Sequence, residues 1–151
     1  MSPQNEIAKL VFDYWSSMFT HGDTFTIACD QGITWGAPKN SPARMNISLY
    51  TDGDAKGRDT QMSQADAAVI NKNQKAVPYL VEIETGKQIE PKTPAGIISA
   101  TNMCRWYYPS TDYENRFDLF GAVLFVLLCS ESFADESSSK SAQLAEFQRR
   151  Y

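Results

Sequence analysis

The chain has 151 residues, of which 42% are apolar, 12% aromatic and 21% charged, and a formal net charge of −4. That length fits one domain over 1–151, which buries roughly two thirds of its unfolded surface and needs no disulfide or structural metal to hold a core. Wholesale disorder is excluded, and the acidic balance excludes a basic domain that coats nucleic acid.

Taken in chain order, the first element reads as a helix. Ser2 caps it and Pro3 suits its first turn. Ile7, Leu10, Val11, Tyr14, Trp15 and Met18 follow at helical spacing as one apolar face. His21-Gly22 ends it; His21, the single histidine, suits a helix C-cap better than a triad base. Phe25, Ile27 and Cys29 alternate with Thr24, Thr26 and Ala28 as a half-buried strand. Residues 30–43, with Gly32, Gly36, Pro38 and Pro42, read as a loop. Met45, Ile47 and Leu49 begin a second strand, and 52–59 form a polar turn.

Ala65 to Ile70 and Val77 to Glu84 read as a hairpin joined by the polar run 71–75. Thr93-Pro94 opens a helix from about Ala95 to Tyr107. Pro109 closes that segment. Leu119 to Cys129 reads as a central strand covered on both faces. A last helix follows Ser137-Ser138-Ser139, with Leu144, Phe147 and Tyr151 on one side. The expected class is α/β: a single-domain sandwich with a central mixed sheet, antiparallel hairpins and flanking helices.

Cys29, Cys104 and Cys129 are odd in number and lack C-x-x-C spacing, so buried free thiols in a reducing, cytoplasmic setting are expected rather than disulfides or zinc. No signal peptide is visible and the apolar run 117–129 is too short to span a bilayer. Residues 39–105 carry nine Lys/Arg against seven Asp/Glu, while both flanks are acidic. A polyanion site on the middle of the chain is therefore permitted.

The hairpin carries the chemistry. With its loop centred near Gln74, opposed residue numbers sum to about 148, so Ala68 faces Leu80 and Asp66 faces Glu82. Opposed side chains share a side, roughly 5 Å apart, and Glu84 follows Glu82 on that side. Three like charges that close repel. A hard cation between them removes the conflict, and carboxylates plus waters suit Mg²⁺ or Mn²⁺. The plainer alternative is that all three are solvated acids on an outer sheet face. Trp106, Tyr107 and Tyr108 beside Arg105 would either stack on bases or pack against the sheet.

The run Asp66 to Ile70, a turn, then Tyr79 to Glu84 resembles the core of the PD-(D/E)xK nuclease superfamily, which includes many restriction endonucleases. The resemblance implies a restriction-endonuclease-like order of helix, three antiparallel strands, helix and strand. It also implies a metal-dependent nuclease that hydrolyses phosphodiester bonds, with Asp66 and Glu82 as metal-binding acids. Two departures stand out: Ala65 rather than proline precedes Asp66, and Glu84 occupies the usual lysine position. Glu84 would then be a third ligand or orient water, and Lys87 or Lys92 would replace the lysine. Glu6 would be an auxiliary acid from the first helix. The expected partners are nucleic acid, DNA before RNA, no membrane, and a second copy of the chain in a homodimer through the last helix. The second reading is a non-enzymatic binding or inhibitor protein: either an inactive nuclease-like scaffold or an acidic α/β domain that meets a basic partner.

Overall fold

The computed structural model describes residues 1–19, 23–51, 60–86, 89–90, 92–109, 115–129 and 139–150. Helix α1 spans Pro3–Met18, with the Ser2 hydroxyl accepting the Asn5 amide at 3.3 Å. Strands β1 (Phe25–Cys29), β2 (Ile47–Tyr50), β3 (Gln61–Ala65), β4 (Ala67–Asn71) and β5 (Ala76–Thr85) precede helix α2 (Lys92–Asn102). Strands β6 (Trp106–Tyr107), β7 (Phe117–Asp118) and β8 (Val123–Cys129) lead to helix α3 (Ser139–Arg150). This is an α/β domain with a mixed sheet in the order β1-β4-β5-β7-β6-β2-β3, and β8 also pairs β5. β1, β4 and β5 are antiparallel neighbours, whereas β5 and β8 run parallel. Parallel neighbours need a long crossover, and α2 lies in that connection.

The hairpin register is the expected one: Ala67, Ala68 and Val69 face Val81, Leu80 and Tyr79. The pairing then shifts by one residue, so Asn71 faces Ala76. The turn explains the shift. The Asn71 side chain accepts the amides of Asn73 and Gln74 at 3.1 and 3.0 Å, and Lys75 takes φ 54°.

Alternation along these strands divides the core in two. Ile27, Cys29, Ala67, Val69, Val81 and Ile83 meet Ala8 and Trp15 of α1 on one face. Ala28, Ala68, Ile70 and Leu80 point to the other face, where Ile47, Leu49, Tyr107 and Phe117 pack against them. The far half of the sheet therefore folds back over the near half and makes a concave inner face. The chain crosses between the halves at Asp66, because β3 pairs β2 while β4 pairs β1 and β5.

Several elements depart from the sequence reading. The second helix stops at Asn102, and Trp106-Tyr107 is a short strand because Tyr107 pairs Leu49 and Phe117 across the fold. The expected central strand begins at Val123, after a turn closed by the Ala122 amide on the Leu119 carbonyl at 3.0 Å. It pairs only β5 among the described residues, and Val123 and Phe125 are exposed, so it is not covered on both faces. On α1 the inward face is Ala8 and Trp15 with Val11 and Phe12 against them, while Leu10, Tyr14 and Met18 are exposed. Cys29 is buried as expected, Cys104 half-buried and Cys129 exposed; all three thiols are free. His21, Gly22 and the 52–59 turn lie outside the described residues, as do the side chains of Leu144 and Phe147 and all of Tyr151. Among the described residues no helix is long and apolar enough to cross a membrane.

The loop after β1 contains a tight contact that only glycine permits. A Cβ at Gly32 would lie 2.2 Å from the Ala43 carbonyl oxygen and 2.8 Å from the Ala43 Cβ. Two 3₁₀ turns, Gly32–Trp35 and Pro42–Arg44, are pressed together there. Gly32→Ala is expected to lose about 1–3 kcal/mol through overpacking. Urea unfolding measures this, and an unchanged midpoint would show that the turns can separate freely.

Candidate functional site

Three adjacent strands carry carboxylates at the same level, beyond the end of β1, before the start of β4 and within β5. Cys29 of β1 faces Ala67 of β4, and Ala67 faces Val81 of β5. One residue further on each strand stand Asp30, Asp66 and Glu82. Glu82 shares the inner face with Leu80, and Glu84 follows it on that face by the two-residue repeat. The sequence reading placed Asp66 and Glu82 opposite each other, and the structure brings them together. Asp30 was missed. The glycines and prolines of 30–43 mark a loop, and the pairing of Asp30 with the hairpin spans 36 residues with no local mark. Only the alternation of Phe25, Ile27 and Cys29 hinted that a strand leads up to it.

Asp66 is the centre of the row and only 8% exposed. Its own amide donates to the Val81 carbonyl at 2.8 Å, and its Oδ2 accepts the Ile83 amide at 2.6 Å. Its side chain thus takes the place of the next backbone acceptor in the ladder. This lets the main chain turn away toward β3 without stranding the buried Ile83 N–H. Gln4 of α1 donates to Asp66 Oδ1 at 3.4 Å and to the Ile83 carbonyl at 3.3 Å. The α1 side chain at the site is therefore Gln4, while Glu6 is exposed, as an ordinary charge in a helix's first turn is.

The electrostatics follow from burial and crowding. Burial, then the charges of Asp66, Glu84 and Asp30, push the Glu82 carboxyl up to about 8. The Asp66 carboxylate beside it favours the protonated form of Glu82. Burial also raises Asp66, opposed by the hydrogen bonds from Ile83, Gln4 and Glu82. Burial, and next the Asp66 charge, bring Asp30 up to about 6. The Oδ1 atom of Asp30 is buried with no hydrogen-bond partner. An orphaned carboxylate oxygen beside two proton-sharing carboxylates is a donor set that a hard divalent cation would satisfy. Among the described residues no three or more His, Cys, Asp or Glu side chains already stand as a group set to hold a metal ion.

The lysines are less informative. Lys92 is exposed at the start of α2, and Lys87 lies outside the described residues. The aromatic run divides: Tyr107 and Tyr108 are buried, and Trp106 is half-buried. The Tyr107 hydroxyl donates to the Asn46 carbonyl at 3.4 Å.

A cleft of about 490 Å³ opens nearby between the end of α2 and the 119–122 turn, floored by Leu80 and Leu124. Leu80 precedes Glu82 by two residues on the inner face of β5, a rise of about 7 Å. Comparison of the chain with protein-family models, with curated proteins and with solved structures finds no match.

Proposed function

We propose that this protein is a metal-dependent phosphodiester hydrolase acting on nucleic acid, with its centre at Asp66 and Glu82. The observation that carries the reading is the row of Asp30, Asp66 and Glu82, crowded enough for one carboxyl to keep its proton near neutral pH. Strained, buried acid clusters of this kind belong to functional sites more often than to plain structure. Taken without β2, β3, β6 and β7, the series α1, β1, β4, β5, α2, β8 follows the helix, three antiparallel strands, helix and strand of the PD-(D/E)xK resemblance.

Asp66 and Glu82 would hold Mg²⁺ or Mn²⁺, with Asp30 supplying its unpartnered oxygen and Glu84 as a further ligand or water-orienting base. When bound, the ion would polarise a phosphoryl oxygen and lower the pKa of a water. Glu82 must give up its proton to ligate, and Gln4 keeps Asp66 Oδ1 oriented. Lys92 or Lys87 would stabilise charge developing on the phosphate. Cutting both strands of a duplex takes two such centres, hence the proposed homodimer. The three free thiols fit a reducing, cytoplasmic compartment.

One observation favours a second reading, a binding protein on an inactive scaffold. Asp66 has a structural task of its own at the Ile83 amide, and an acid stands where the resemblance expects lysine. A cleavage assay decides between them. Labelled DNA and RNA should be cut with Mg²⁺ or Mn²⁺ and spared in EDTA. Intact substrates across a broad panel at high protein concentration would leave the binding protein.

A further inference from the structure

The outer edge of β8 is open. Among the described residues this strand pairs only β5, although Val123–Cys129 carries no charged side chain. The Gly86 amide donates to the Cys129 carbonyl at 3.4 Å, so the Cys129 backbone is turned toward β5. By strand alternation the N–H and C=O groups of Leu124, Val126 and Leu128 are turned the other way, to the open edge. An apolar edge without a charge or proline to blunt it is a template for another strand.

The helix above continues the same surface. Phe12 and Phe19 of α1 lie on the β1 side, with ring centres 6.2 Å from Trp35 and 5.1 Å from Phe25. Trp15 lies over β5 and β8, 6.5 Å from Tyr79 and 6.4 Å from Phe125. Leu10, Tyr14 and Met18 follow at four-residue spacing on the flank of α1 away from Phe12 and Phe19, which is the β8 side. These three, with Val123 and Phe125, are five of the ten exposed large hydrophobic residues described. At 43–68% exposure they present on the order of 500 Å² per copy, so two copies that cover each other remove about 1,000 Å² before the strand backbone is counted, enough for a specific interface. A second copy brings matching backbone groups and side chains equally apolar. Two chains of net charge −4 then meet along strands where neither carries any charge.

We propose that β8 pairs antiparallel with β8 of a second copy about a two-fold axis at Val126, and that the Leu10, Tyr14 and Met18 stripe of each α1 covers the seam. Val126 is the middle residue of the strand. This register sets it against its own symmetry mate and sets Leu124 against Leu128 of the partner subunit, so every outward backbone group finds a partner. The two sheets become one, with their inner faces on the same side. Glu82 pairs Val126 across β5 and β8. The two Glu82 residues therefore stand three strand spacings apart, roughly 15 Å, on that common face. The inference rests on the phosphodiester-hydrolase reading only for its use: two centres so placed would meet both strands of one duplex. The interface itself stands or falls separately.

Sedimentation velocity of the full chain in EDTA at micromolar concentration should show twice the chain mass. Tyr14→Lys, at an exposed position, should keep the parent's circular dichroism spectrum and raise the dimer dissociation constant about tenfold. Cross-linking reads the register. Val123 faces Cys129 of the partner subunit in a non-hydrogen-bonded pair, with Cα atoms about 4.5 Å apart and within disulfide reach. Val123→Cys treated with diamide should therefore form a covalent dimer. Adding Cys129→Ser should abolish it, because the two 123 positions lie roughly 20 Å apart along the strands. Ile33→Cys, exposed on the turn after β1, should give no covalent dimer and controls for chance collision. A monomer, a dimer indifferent to Tyr14→Lys, or a dimer that fails to cross-link through 123 and 129 overturns the interface. Adding Mn²⁺ and a labelled duplex to the cross-linked dimer reads cleavage separately. An intact duplex beside a cross-linked dimer would sink the hydrolase and leave the interface standing.

Discussion

Glu82→Gln is expected to melt higher than the parent in EDTA at pH 7, and to lose most of the parent's pH dependence. The folded protein holds the Glu82 proton up to about pH 8, against 4.5 for an ordinary glutamate. Between those values the folded state binds more protons than the unfolded chain, so stability falls as pH rises through that window. Asp30, raised from 3.8 to about 6, adds a loss of the same sign at lower pH. The metal-free parent should therefore be most stable below about pH 5 and lose on the order of 3 kcal/mol by pH 8. For a chain this long that is roughly 5–10 °C in melting temperature. Glutamine is neutral throughout and still donates an N–H to Asp66, so the variant keeps the low-pH arrangement. Melts at pH 5 and pH 8 measure the difference. Parallel pH profiles for the two proteins would mean that Glu82 is an ordinary solvated acid.

The second large effect is at Asp66, where two roles coincide and two substitutions separate them. Asp66→Ala leaves the buried Ile83 amide without its acceptor, which costs about 1–3 kcal/mol. It also removes a charge from the proposed metal centre. Asp66→Asn keeps an oxygen for Ile83 and removes the charge, and its NH2 replaces the oxygen that accepts from Gln4. In the cleavage assay both variants should be slower by about a hundredfold or more, the scale of losing several kcal/mol of transition-state stabilisation. Urea unfolding should show Asp66→Ala clearly weakened and Asp66→Asn weakened less, since it keeps the acceptor for Ile83 and loses the one for Gln4. If Asp66→Asn cuts at the parent rate, Asp66 is a strand-end cap and nothing more.

The contrast between Asp66 and Asp30 shows how far the sequence could be read. Asp66 and Glu82 belong to one hairpin, and a polar turn plus two-residue alternation set its register before any long-range contact matters. The shift at Asn71 lies beyond the carboxylates and leaves them opposed. Asp30 joins the row through pairing of β1 with β4, and no turn or spacing in the chain encodes that partner. Trp106-Tyr107 failed for a similar reason. Nothing local stops the helix after Asn102, and the strand exists because Leu49 and Phe117 flank Tyr107. The exposed stripe Leu10, Tyr14 and Met18 shows the limit of helical spacing: apolar side chains extend over more of α1 than the sheet can cover. The turn that displays Phe120 was read as strand because 117–129 is almost uniformly apolar, and only Gly121 marked the break.

The central claim is that Asp66 and Glu82 share one divalent cation, and a Mn²⁺ titration tests it without any substrate. Calorimetry at pH 7 in two buffers of different ionisation heat counts the protons released per ion bound. Glu82 is protonated in the metal-free protein, with its carboxyl at about 8, and must ionise to become a ligand. The account predicts saturable binding to the parent with about one proton released per ion, and loss of both in Glu82→Gln. No saturable heat in the parent, or the same titration in Glu82→Gln, would contradict it.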